Sequence, residues 1–169
     1  MARRIGKNEL MAINICDEYP EVQADYASKE RDGDDVLEYA QKLVSSPGKH
    51  DGLYWPEKPG DDPSPIGLEL DNAVAPNPGA PYAGYVWKIL TGQGPNAPGG
   101  AYSYIIKGNM VAGFALVGTP VGYRKTGVMT FIVNNNGKVY QKDLGPTGLE
   151  TVKAMEAYDP DSSWRLVED

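Results

Sequence analysis

Tyr102-Ser103-Tyr104-Ile105-Ile106-Lys107-Gly108-Asn109-Met110-Val111-Ala112-Gly113-Phe114-Ala115-Leu116-Val117 is the stretch on which the fold turns. Two apolar runs, Tyr102 to Lys107 and Met110 to Val117, flank Gly108-Asn109. A two-residue break of this kind between such runs predicts an antiparallel hairpin. The second run is apolar on both faces, which predicts a central strand. Downstream, Val128 to Val133 and Lys138 to Lys142 flank Asn134-Asn135-Asn136-Gly137, a second hairpin. Met129, Phe131 and Val133 share one face of its first strand. Upstream, Gly84 to Leu90 places Tyr85, Trp87 and Ile89 on one face, and a Gly/Pro loop runs from Gln93 to Ala101.

The amino-terminal part reads as helix. From about Ile5 to Lys29, Met11, Ile15, Tyr19, Val22 and Tyr26 recur at three- and four-residue spacing and form one stripe. Pro20 removes the backbone bond to the Cys16 carbonyl, so a kink or break is expected there. Asp32-Gly33-Asp34-Asp35 ends the helix. A second helix is expected from about Asp35 to Val44, on the spacing of Val36, Leu37, Ala40, Leu43 and Val44. Pro56, Pro59, Pro63, Pro65, Pro76, Pro78 and Pro81 then rule out regular pairing over most of Lys49 to Ala83. The rings of Tyr54 and Trp55, and later Tyr82, argue that this loop packs on the domain. Thr147-Gly148-Leu149-Glu150 reads as a capping box opening a short helix through about Tyr158, and Trp164 is expected to dock.

These elements predict a single α+β domain. A long N-terminal helix packs on a four- to five-stranded antiparallel sheet. Residues 1–45 are read as helices, 46–83 as a packed Pro/Gly-rich loop, 84–145 as the sheet, and 146–169 as a C-terminal helix and tail.

The 169 residues carry 16 basic and 23 acidic side chains, a net charge of -7. Beyond Arg3, Arg4 and Lys7 no basic cluster exists, so nucleic acid and anionic membrane surfaces are not expected partners. No apolar run is long enough for membrane insertion by this chain. Arg3 and Arg4 are followed by Gly6, Lys7, Asn8 and Glu9 rather than an apolar run, so no export signal is read here. The single Cys16 lies near the helix stripe and reads as a buried structural thiol.

No catalytic constellation is read. His50-Asp51 is the one His beside an acid, and a turn-surface role is expected, since sequence neighbours rarely supply triad geometry. Gly92-Gln93-Gly94 lacks the Gly-Lys-Ser/Thr of a phosphate loop and leads into a strand. Asp32, Asp34 and Asp35 are weak metal candidates: an EF-hand counted from Asp32 would need Glu where Leu43 stands. No cofactor is expected. Tyr54, Trp55, Tyr82, Trp87, Gln93 and Tyr102, with Tyr85 and Tyr104 nearby, are candidates for an aromatic ligand-binding groove. A satellite core under the loop is the competing reading.

The order of elements resembles the soluble part of type IV pilins and type II secretion pseudopilins, in which a helix crosses one face of the sheet; their apolar half-helix has no counterpart in this sequence. Six strings resemble an uncharacterised bacterial family, domain of unknown function 2950. They are Arg3-Arg4-Ile5-Gly6-Lys7-Asn8-Glu9-Leu10, Asp51-Gly52-Leu53-Tyr54-Trp55-Pro56, Gln93-Gly94-Pro95, Gly113-Phe114-Ala115-Leu116, Thr126-Gly127-Val128-Met129-Thr130-Phe131 and Tyr140-Gln141-Lys142-Asp143-Leu144-Gly145. Members similar to this chain are usually longer, with an export signal and an extra N-terminal region. The resemblance therefore implies a periplasmic or cell-envelope location and supplies no catalytic residues. The expected function is a non-enzymatic envelope module binding a partner protein or surface polymer. The alternatives are a carboxylate-dependent hydrolase, marked by two facing carboxylates about 5–10 Å apart, and a structural subunit of an envelope assembly.

Overall fold

The computed structural model describes residues 1–66 and 79–168. Pro76 and Pro78 of the expected loop lie outside the described residues. Helix α1 spans Ala2–Ala27. The strands are β1 Tyr85–Leu90, β2 Gly92–Gln93, β3 Tyr102–Ser103, β4 Ile105–Ile106, β5 Asn109–Met110, β6 Ala115–Pro120, β7 Thr130–Asn134, β8 Tyr140–Lys142, β9 Ala157–Tyr158 and β10 Arg165–Leu166. A 3₁₀ turn, Gly145–Thr147, leads into helix α2, Gly148–Ala154. The main sheet has the order β1-β6-β7-β8-β10 and every pair in it is antiparallel. The α+β class and the five-stranded antiparallel sheet therefore stand.

All residues of β6 and β7 are buried, because the sheet is covered on both faces. One face carries Tyr85, Leu116, Phe131 and Val133 toward α1, whose buried stripe is Ala12, Cys16, Tyr19, Gln23 and Tyr26. This stripe is rotated from the expected one. Tyr19 and Tyr26 belong to both, while Ile15 and Val22 are half-buried at its flank. Gln23 was unreadable as a core position because it is polar; its amide bonds to the Ala40 backbone in both directions. The helix runs unbroken through Pro20. Cys16 is buried, and desolvation drives its thiol pKa far above the usual range, as a structural role requires.

Helix α2 covers the opposite face. Lys88 of β1 reaches across and donates to the Val152, Lys153 and Met155 carbonyls, at 2.9 Å for Lys153. An ammonium there neutralises the carbonyl end of the helix. Trp87 stands opposite Gly118 on β6, where a Cβ would lie 2.4 Å from the indole. The glycine makes room for the ring.

Several local expectations are corrected. No second helix forms over Asp35 to Val44. The segment is extended because its backbone finds better partners elsewhere. Tyr39 N–H donates to Met110 O at 2.8 Å, the Leu43 carbonyl accepts from Tyr54, and Val44 bridges to Tyr54. The run Met110 to Val117 is not one strand: Met110 ends β5, and β6 begins only at Ala115. The hairpin turn falls at Lys107-Gly108, one residue earlier than read, with φ of 52° and 85° and Ile106 opposite Asn109. The Thr147 side chain makes no capping bond, and its carbonyl instead accepts from the Thr151 hydroxyl. Helix α2 stops at Ala154, because Ala157 and Tyr158 pair in parallel with β2 as β9. The Asn134 to Gly137 turn forms as read, closed by Gly137 N–H to Asn134 O at 2.9 Å.

Candidate functional site

The six candidate binding residues fall into three settings. Tyr54 and Trp55 are buried in the loop docked against the end of α1. His50 stacks on Trp55 with ring centres 4.1 Å apart, Arg31 covers the same indole at 5.3 Å, and the Trp55 N–H donates to Asp62 O. Tyr82 and Trp87 meet at the start of β1, where the indole N–H donates to Tyr82 O at 3.3 Å. Gln93 and Tyr102 are cross-strand partners on β2 and β3. Gln93 is buried and its amide holds the Pro98 and Gly100 carbonyls, both at 2.8 Å, while its oxygen accepts from the Tyr104 hydroxyl. Of the six, Tyr102 is the most exposed, at 41%. Two of the rings and the amide pack the loops that they stabilise.

His50 and Asp51 turn to different partners. Asp51 closes its own turn by accepting from Ser46 N–H at 2.7 Å and from the Ser46 hydroxyl, and it pairs with Lys42 at 3.1 Å. The His50 ring lies flat on Trp55 with Nε2 4.0 Å from Asp61.

The acidic turn gathers differently from its sequence reading. Carboxylate oxygens of Glu30, Asp32 and Asp34 lie within 4.8 Å of one another, and Asp35 is not in the group. Glu30 accepts three backbone N–H groups, from Asp32, Gly33 and Asp34, so its main task is to close the turn. Glu38 is the residue sequence reasoning missed. Its carboxyl pKa is pushed up to about 7, chiefly by partial burial, then by a hydrogen bond with the Asp32 carboxyl and by that group's charge. The bond from Met110 N–H, at 3.2 Å, works in the opposite direction. Two carboxyls in hydrogen-bond contact leave no space for a glycosidic bond between them, unlike the separated pair of a glycosidase.

A folded-state pKa above the ordinary 4.5 means that Glu38 stabilises the fold fully below pH 4.5. The contribution is lost as pH rises through about 7. Since the group is largely solvent-screened, its size is expected to stay under about 1 kcal/mol. Urea unfolding of wild type and Glu38→Gln at several pH values checks this. The advantage of wild type over the variant should shrink between pH 5 and 7.5, and a constant difference would disprove the assignment.

Three exposed apolar residues sit on neighbouring segments. Leu37 (57% exposed), Ile106 (53%) and Val111 (40%) lie on two segments tied together beside the β4–β5 hairpin. Tyr39 N–H to Met110 O and Gln41 Nε2–H to Gly108 O, at 2.8 and 2.9 Å, brace them. Tyr102, on β3, precedes Ile106 and Val111 in the same stretch of chain. The sequence pattern places Leu37 on the apolar side of an expected helix, Ile106 in the first strand run and Val111 in a run apolar on both faces, so none of the three is singled out as exposed.

Comparison with known families matches residues 1–167 to the model described as a protein of unknown function, DUF2950. The chain belongs to this family. No curated protein and no solved structure matches it. Within this DUF2950 chain, two of the strings that carry the resemblance meet in space. Asn8 Nδ2–H donates to Thr126 O at 2.8 Å, and Glu9 accepts from Val128 and Met129 N–H at 2.9 and 3.0 Å. Another string, Gln93-Gly94-Pro95, seats against β9, with Gly94 N–H donating to Tyr158 O.

Proposed function

We propose that this DUF2950 chain is a non-enzymatic, pilin-like envelope module that binds a partner protein or surface polymer through the apolar edge at Leu37, Ile106 and Val111. The observation that carries the reading is large aliphatic exposure on a braced hairpin. Exposed side chains grouped on a rigid support are a common mark of an interaction surface. The hydrogen bonds from Tyr39 N–H and Gln41 Nε2–H hold the hairpin to the neighbouring segment, which favours binding that orders few new groups. The helix laid across one sheet face supports the pilin-like part of the reading, and the family resemblance supports the envelope location.

A photo-crosslinking side chain at position 106, used in bacterial cells expressing the chain, tests it. One discrete adduct with an envelope protein or wall polymer is expected. Leu37→Asp combined with Val111→Lys should remove the adduct while leaving the urea midpoint within the range of surface substitutions, about 0.5 kcal/mol. Diffuse labelling unaffected by those changes would overturn the proposal.

A further inference from the structure

Thr119 and Thr130 face each other across β6 and β7 on the side of the sheet covered by α2, and each is only 1% exposed. Their hydroxyls form a hydrogen bond of 2.8 Å. Two hydroxyls carry two protons, and one bond between them uses one. The other proton has no acceptor among the described residues. A buried hydroxyl donor left unmet costs free energy, so it marks a place where an acceptor belongs.

The space available for that acceptor is a partly enclosed cleft of about 70 Å³ lined by both threonines, with Pro120, Val128, Pro146 and Leu149 among its walls. Gly148 opens it: a Cβ there would stand 3.1 Å from the Thr119 hydroxyl. The volume is about half of the roughly 150 Å³ that takes a benzene ring in an engineered cavity, which suits a group of three or four heavy atoms. No charged side chain lines the cleft. Tyr123, on its wall, donates to the Asp143 carboxylate at 3.1 Å and lies under the Arg124 guanidinium, 5.4 Å from the ring centre, so charges of both signs meet at that rim. With no charged lining group to offset its lost hydration, an anion is disfavoured, and a cation would meet a hydroxyl proton. What fits is a neutral carbonyl oxygen with a small apolar body.

We infer that this cleft binds a carbonyl-bearing group of the acetamide class, its oxygen accepting from the Thr119–Thr130 hydroxyl pair and its methyl resting against the apolar walls. The site is separate from the edge at Ile106 and stands or falls independently of it.

The test is an amide NMR titration of the full chain with acetamide, and with acetate as a charged control of the same size. Saturable shifts are expected at Thr119, Thr130, Gly148 and Leu149 with the amide, and at least tenfold weaker response with acetate. Thr119→Val combined with Thr130→Val keeps the shape and removes both protons, and it should weaken binding at least tenfold. Gly148→Ala fills the cleft from the opposite wall and should do the same, which keeps the test decisive if the double variant fails to fold. Ile106→Lys should leave the titration unchanged. Absence of saturable shifts would mean that water alone occupies the cleft, and equal response to acetate or unaltered binding in the variants would mean that the hydroxyl pair does not select the ligand; each would overturn the proposal.

Discussion

Replacing Gln23 with leucine is expected to destabilise the protein by about 3–5 kcal/mol, an effect in the exceptional range for one side chain. Gln23 is fully buried in α1. Its amide behaves like an extra peptide unit: Oε1 accepts from Ala40 N–H at 2.8 Å, and Nε2 donates to Ala40 O at 3.0 Å and to the Tyr19 hydroxyl oxygen at 2.8 Å. Leucine fits the volume but strands both backbone groups of Ala40 in a dry environment. Each orphaned group costs about 1–3 kcal/mol. Tyr19 keeps its own donation to Ala115 O, so it does not add a third orphan. The loss should extend to the segment that Gln23 holds, since Tyr39 and Ala40 join the extended chain 36–44 to the helix and to β5. Urea unfolding monitored by Trp fluorescence checks the magnitude, with an unchanged slope showing that the two states are otherwise alike. A loss under about 1 kcal/mol would show that water or backbone relaxation replaces the amide.

That residue also marks where sequence reasoning stops. Patterns of period two and clear turn residues located β1, the hairpin at Asn134–Gly137 and the carboxyl-half sheet, because in those segments the local preference and the tertiary environment agree. The stripe on α1 was legible through Tyr19 and Tyr26. Its centre was displaced because Gln23, a core position, has no apolar side chain to announce it. The segment Asp35 to Val44 was misread for a different reason. Its apolar spacing suits a helix, but pairing with Met110 and Tyr54 satisfies the same backbone groups and fixes the chain extended. The candidate site was least legible. Trp55 and Tyr54 look like a binding surface and are buried. Ile106 and Val111 look like core and are exposed. The Thr119–Thr130 pair depends on strand register, which a sequence shows only after the turn lengths are known.

Glu9→Leu is expected to cost about 2–4 kcal/mol, and Glu9→Gln about half as much. A single carboxylate oxygen of Glu9 accepts from two successive amides, Val128 at 2.9 Å and Met129 at 3.0 Å, just before β7 begins. Hydrogen bonds to a charged acceptor contribute about 1.5–3 kcal/mol each, and these two join residues 119 and 120 positions apart. The neighbouring Asn8 holds Thr126 O from the same turn of α1, so the start of the helix is stapled to the sheet at three backbone groups. Leucine removes the acceptor. Glutamine retains an oxygen at the same reach and loses only the charge, so the difference between the variants isolates the ionic part. Amide exchange gives a second readout. Val128 and Met129 should lose protection more in the leucine variant than amides in β1, whose bonds to β6 do not involve Glu9. Uniform loss across the sheet would instead place Glu9 among contacts that open only with the whole domain. In that case the helix start and β7 belong to one cooperative unit, and residues 3–10 contribute to the family's fold rather than to a local clasp.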